Sequence, residues 1–131
     1  MHFLFFSSVI LATFTGYGQT NLNKIARKKT AEPIIINAIS HDSLQSSFVI
    51  WIKNSVPAHY HKDHTETIYV LEGKGEMRIG TTRFSIKKGD FFVIKPNMVH
   101  EVLKITSRKP LKVLSTQAPY FDGSDRIWIN P

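Results

Sequence analysis

Three histidines and a glutamate, His59, His61, His64 and Glu66, fall within eight consecutive residues, and a further histidine, His100, follows a turn-rich stretch. Imidazole nitrogen and carboxylate oxygen both ligate divalent first-row metals. His59 and His61 are two apart, so on a strand they share a face. Glu66 lies five positions after His61, and strict alternation would put it on the opposite face. The chain is therefore expected to turn or bulge at residues 62–65, where Lys-Asp-His-Thr permits a turn, with Glu66 opening a new strand. His59, His61, Glu66 and His100 are the expected ligand set. His64 is expected in the loop, or behind the ligands, rather than on the ion. Three imidazoles and one carboxylate leave one or two positions open on a six-coordinate ion, which suits Fe, Mn, Ni, Co or Zn without choosing among them. The histidines must be neutral to bind, so affinity should fall below about pH 6. Glu66, if it leaves the ion, is also the candidate base. His2 and His41 carry no motif, and Tyr60 and Tyr69 alternate away from the ligands as packing residues.

Short strands are needed to bring these groups together. Residues 34–36, 48–52, 66–71, 75–79, 83–86, 91–94, 101–106 and 111–116 read as β-runs. Gly73-Lys74-Gly75, Gly80-Thr81-Thr82 and Lys87-Lys88-Gly89-Asp90 separate the middle ones. Turn signals at this spacing, with no convincing amphipathic helix between them, predict an all-β sandwich or barrel. The last two long runs are expected to pair with each other around Ser107-Arg108-Lys109-Pro110. Residues 20–32 are polar and basic and read as a short helix or an arm. In the aromatic tail, residues 127–129 suit a final edge strand. Tyr120 and Phe121 either pack across a sheet or a second subunit, or close the barrel mouth over a ligand.

The chain has 131 residues, enough for one domain. Residues 3–14 are mostly apolar, the length of a secretory h-region and too short for a membrane span. Gly16-Tyr17-Gly18 places small residues where a signal peptidase reads, so cleavage is expected after Gly18. The expected organisation is a signal peptide at 1–18, an arm and first strand at 19–45, a barrel core at 46–117, and a tail at 118–131 that packs on the barrel or on a partner subunit. Secretion or a periplasmic location follows, with no stable membrane anchor. Cysteine is absent, which excludes disulfides and thiolate metal sites. The net charge is +7, but the basic residues are scattered in turns, without a basic helix or aromatic-basic alternation. Nucleic acid is therefore not an expected partner, and an anionic ligand is mildly favoured.

The two motifs resemble those of the cupins. The first cupin motif has the form G-x5-H-x-H-x(3,4)-E-x6-G, and His59, His61, Glu66 and Gly73 fall at its spacings. Its leading glycine is replaced, with Lys53 in that place. The second has the form G-x5-P-x-G-x2-H-x3-N, and Gly89, Asp90, Pro96 and His100 resemble it. Pro96 lies one place late, Lys104 replaces the closing Asn, and Asn97 takes the internal glycine's place, where it is the next best residue for positive φ. The resemblance implies a single-domain double-stranded β-helix, a small jelly-roll barrel, and often a homodimer through exposed strand edges. It implies a divalent metal on the four residues named and a small-molecule ligand. It does not fix the reaction, because cupins include dioxygenases, isomerases, decarboxylases, epimerases and sugar binders. The readings it leaves are dioxygenase-type or isomerase-type catalysis and, from another class, a non-catalytic carbohydrate-binding or small-molecule-binding module of the cell envelope.

Overall fold

The structure, a computed structural model, describes residues 18–130. The expected signal peptide therefore lies, apart from Gly18, outside the described residues. Ten strands follow in order: β1 (Ile34–His41), β2 (Ser46–Ile52), β3 (Val56–Tyr60), β4 (Thr65–Glu72), β5 (Lys74–Ile79), β6 (Thr82–Lys87), β7 (Phe91–Ile94), β8 (His100–Ile105), β9 (Leu111–Ala118) and β10 (Ile127–Trp128). They form two five-stranded antiparallel sheets, ordered β1-β2-β9-β4-β7 and β10-β3-β8-β5-β6. The fold is all-β, a double-stranded β-helix.

Each β-run of the sequence becomes a strand, usually a residue or two longer, because apolar alternation continues to the flanking turn residues. One expected pairing is wrong. β8 and β9 are not a hairpin: β8 lies between β3 and β5, while β9 lies between β2 and β4 in the other sheet. Residues 106–110 carry the chain from one sheet to the other. Turn signals mark where a strand ends but do not say whether the next one returns beside it or crosses the core. Pro57 lies within a strand, β3, where the register to β8 shifts between Val56 and His59, and an irregularity of this kind tolerates a missing N–H.

The inner faces enclose Ile52, Ile68, Val70, Met77, Ile86, Ile94, Val102, Leu111 and Val113. Side chains of this size each contribute about 1.5–3 kcal/mol when fully buried. With no disulfide, this packing is the main source of stability. On the outer face of the first sheet, Ile35, Val49 and Trp51 form a second cluster, covered by Leu22 and Ile25 of the N-terminal arm. The arm has one 3-10 turn, Leu22–Lys24. Buried Lys112 pins it by donating to the carbonyls of Leu22 (2.7 Å) and Ile25 (3.1 Å), with its ammonium 5.3 Å from the centre of the Trp51 ring. Tyr69, expected to pack, is instead 41% exposed. It pairs with Phe91 of edge strand β7 on the part of this face that the arm does not reach.

Of the five described positions with positive φ, two bear on the crossings between sheets. At Gly73 (φ 89°) an added Cβ would meet Leu111 Cα and Pro110 O at 2.9 Å, so the crossing from β4 to β5 requires glycine on two counts. Asn97 has φ 64°, as its place in the second motif suggests, and its amide donates to His61 O at 2.7 Å. Asn97→Gly should leave thermal stability within a few tenths of a kcal/mol, whereas Asn97→Ala should cost about 1 kcal/mol. Equal midpoints for the two variants in urea unfolding would contradict this account.

Candidate metal centre

β3 ends at Tyr60 and β4 begins at Thr65, so the chain changes sheets across residues 61–64. That crossing does what the odd spacing requires: His61 and Glu66, on opposite faces by count, both turn into the barrel. β8 begins at His100, which pairs directly with His59 on β3. His59, His61, His100 and Glu66 are all buried. The three histidines offer nitrogens within 4.8 Å of one another. The ring centres of His59 and His100 are 4.2 Å apart. Glu66 Oε2 lies 3.3 Å from Nε2 of both His61 and His100.

Hydrogen bonds fix the tautomers. His59 Nδ1 donates to Pro57 O (2.9 Å), His61 Nδ1 to Asp125 O (2.6 Å) and His100 Nδ1 to Met98 O (2.9 Å). A carbonyl oxygen only accepts, so each Nδ1 carries the proton and each neutral ring turns an Nε2 lone pair inward. His100 Nε2 is buried and has no hydrogen-bond partner. Three imidazole nitrogens come together with a carboxylate oxygen beside two of them, while Glu66 is not within the same mutual distance of all three; the arrangement repels itself unless a positive charge lies among them. The donor set is that of a divalent transition metal, and the three buried histidines could hold one.

The electrostatics agree. Burial, with His100 beside it, pushes His59 down to about 3, so its ring stays neutral far into acid. Burial alone would raise the Glu66 carboxyl, while its contacts with His100, His61 and the Ser115 hydroxyl lower it; with the histidines in the tautomer above, Ser115 is the neighbour that donates to it. Ser115 Oγ donates to Glu66 Oε1 at 2.5 Å, leaving Oε2 turned toward the histidines.

His64 is not part of this convergence. Its Nδ1 meets Asp125 Oδ2 at 2.5 Å and its Nε2 meets Tyr120 O at 2.9 Å. Both partners are acceptors, so both nitrogens carry protons and the ring is an imidazolium. Burial opposes that charge, but Tyr120 O and the Asp125 carboxylate prevail and raise the His64 pKa. The ring has no lone pair to offer an ion while it is held in this way.

Residues that the motifs do not contain complete the site. The Asp125 carboxylate accepts from the amides of Lys62 and Asp63, both at 2.9 Å, and so clamps the tail onto the crossing between β3 and β4. Phe121 is buried, its ring edge-on to His61 (5.3 Å) and His64 (5.1 Å), and its amide donates to Ser46 Oγ. Trp128 on β10 lies 5.0 Å from His59. Of the two expected uses of the tail, Phe121 packs inward against His61 and His64, while Tyr120 is 47% exposed with its ring tilted against His41. Ser115 and Gln117 on β9 were missed; the signal that could have found them is their polarity at inward positions of a strand whose other inward residues, Leu111 and Val113, are core. Asp125 left no local signal, because its role depends on a contact across sixty positions of chain.

A cupin-domain family model matches residues 48–117. An uncharacterized protein of Aquifex aeolicus is 31% identical over 101 residues, covering 77% of this chain and 82% of that protein. Among solved structures, an uncharacterized conserved protein with a double-stranded β-helix domain from Klebsiella pneumoniae superposes with a TM-score of 0.70 at 19% identity, covering 86% of this chain and 97% of the other. Streptomyces PAC13, a nucleoside dehydratase solved with uridine, gives 0.67 at 14% identity, covering 86% and 90%. These two structural likenesses concern the fold. Family match, fold and the convergent histidines agree: the chain belongs to the cupin domain family.

Proposed function

We propose that this chain is an exported metal-dependent cupin that binds one divalent transition ion through His59, His61, His100 and Glu66, and a small anionic molecule beside it. The observation that carries the proposal is the set of three Nδ1–H bonds to backbone carbonyls, which aims three lone pairs at one buried point. Bound there, the ion would supply Lewis acidity and an open position for a substrate oxygen. The chain's own residues do the rest. The carbonyls of Pro57, Met98 and Asp125 orient the imidazoles, Ser115 holds one oxygen of Glu66, and Phe121 and Trp128 restrict water at the mouth. Glu66 would act as a base only after release from the ion and from the Ser115 hydroxyl, which holds one of its oxygens. The favoured reaction classes are oxygen-dependent cleavage and isomerisation. The family's small-molecule chemistry, represented by PAC13 with uridine, supports a ligand in the barrel. The second reading is a non-catalytic envelope binding module, which uses the same site without turnover. A homodimer is part of the proposal, supported by Phe91 and Val93, both exposed on edge strand β7.

Elemental mass spectrometry on untagged, chelator-free protein should find about one equivalent of a transition metal, with His59→Ala and His100→Ala each weakening retention at least about tenfold. No uptake of Fe(II), Mn, Co, Ni or Zn at neutral pH would remove the metal from the proposal. Fe or Mn would favour oxygen chemistry, and Zn or Ni isomerisation or binding.

Asp125→Ala should lower stability by about 2 kcal/mol, since hydrogen bonds to a charged group are lost, and should weaken metal retention about tenfold as the Asp125 carbonyl loses its hold on His61. Unchanged metal affinity in a folded variant would mean that the clamp serves the tail alone. Export is checked by Edman sequencing of the protein recovered outside the cytoplasm. Gln19 is the expected first residue, and an intact Met1 would oppose it.

A further inference from the structure

Arg126 stands next to the metal centre without a partner. In the pairing of β10 with β3, Ile127 faces Tyr60 and Trp128 faces His59. Continuing that register places Arg126 opposite His61. Trp128 lies over His59 on the barrel's inner side, and Arg126, two residues earlier, shares that side. Its guanidinium carbon is 5.7 Å from the centre of the Phe121 ring and 5.8 Å from that of Trp128. Phe121 and Trp128 are the same two rings that lie against His61 and His59. The charged group is thus bracketed by aromatic faces at the mouth of the site.

Cation–aromatic contacts hold a guanidinium in place but leave its N–H donors free. The ion pairs of the described residues use Arg78, Lys87, Lys104, Lys109 and histidines, and Arg126 makes none. Burial lowers its affinity for a proton and the Glu66 charge restores part of it, so this cation feels the metal-site carboxylate without touching it. A half-buried arginine without a carboxylate normally costs stability. The alternative role of a surface charge in solvent does not account for two flanking rings.

We propose that Arg126 is the anion-recognition residue of this site, binding an oxyanion of a small ligand through its planar N–H fork while a second oxygen of that ligand reaches the metal. The inference rests on the metal reading above for its second contact, but not for its first. Carboxylate and phosphate both match the fork, so the shared chemistry is a small oxyanion with a second oxygen donor. A basic concavity of about 450 Å³ at the far end of the barrel, lined by Lys74, Lys87, Lys88, Arg108 and Lys109, is a competing place for anions, and the test must separate the two.

The experiment is calorimetric titration of malonate and, separately, inorganic phosphate into full-length mature protein, metal-loaded and metal-free. Arg126→Gln, Arg126→Lys and Lys88→Gln run beside the wild type. Arg126→Gln should weaken binding of the favoured anion about 10- to 100-fold, the loss of a charge-assisted pair. Arg126→Lys should recover only part of this, Lys88→Gln should bind as the wild type does, and metal content should be unchanged in all three. Malonate above phosphate would identify a carboxylate ligand, and the reverse a phosphate. If the wild type takes up no metal yet its anion binding still depends on Arg126, the metal reading fails and this one stands. Wild-type affinity in a folded Arg126→Gln protein, binding that falls with Lys88→Gln instead, or no binding of either anion in either state would overturn the assignment.

Discussion

The constraint on which the site depends is that a histidine has two nitrogens and one proton to place. In each of the three converging rings a backbone carbonyl takes that proton at Nδ1. The lone pairs then have nowhere to go but inward, and burial keeps them from water. In a pocket of low polarizability such a set is unfavourable by itself, and a cation relieves it. His64, three residues after His61 in the crossing between β3 and β4, shows the contrary case: two acceptors on one ring require two protons, and the ring becomes a cation. The same residue type is made a ligand or a structural charge by what its second nitrogen meets.

These carbonyls are where they are because strands change sheets. Pro57 lies at the β3 irregularity, and the Met98 carbonyl follows the bend that delivers β8. Asn97, with its left-handed backbone, belongs to that bend, and its amide holds His61 O. The metal centre therefore sits at one end of the barrel, where several crossings between sheets meet. The opposite end, reached along the eight residues of β4, carries Gly73 and the basic concavity. The strand length separates the two ends by roughly 20 Å. This separation lets the apolar middle carry stability while the polar side chains gather at one end.

Much of this was legible in the chain. The odd spacing between His61 and Glu66 predicted a turn, and the turn is the crossing between β3 and β4. Asn97 was legible as a left-handed residue from its place at the internal glycine of the second motif, which the chain resembles. The β8–β9 pairing was misread because local turn residues look alike whether a strand folds back or crosses the core. The clamp was invisible for a related reason. Asp125 acts on Lys62, Asp63 and His64, and no local period connects residues so far apart in sequence.

The tail is therefore more than a cover. Its backbone carbonyl at Asp125 orients His61, its carboxylate fixes the turn that carries His61, and the next residue, Arg126, is held at the mouth by Phe121 and Trp128. One short segment thus orients a histidine of the candidate metal site and presents a cation beside it. Moving the tail would disturb both together, because they hang on the same few backbone bonds. A ligand that drew on Arg126 would in turn tighten the tail on the turn at residues 61–64, and through the Asp125 carbonyl it would steady His61. On the proposed reading, anion binding and metal retention would be coupled, and coupling of this kind is reciprocal: whatever the anion added to metal affinity, the metal would add to anion affinity.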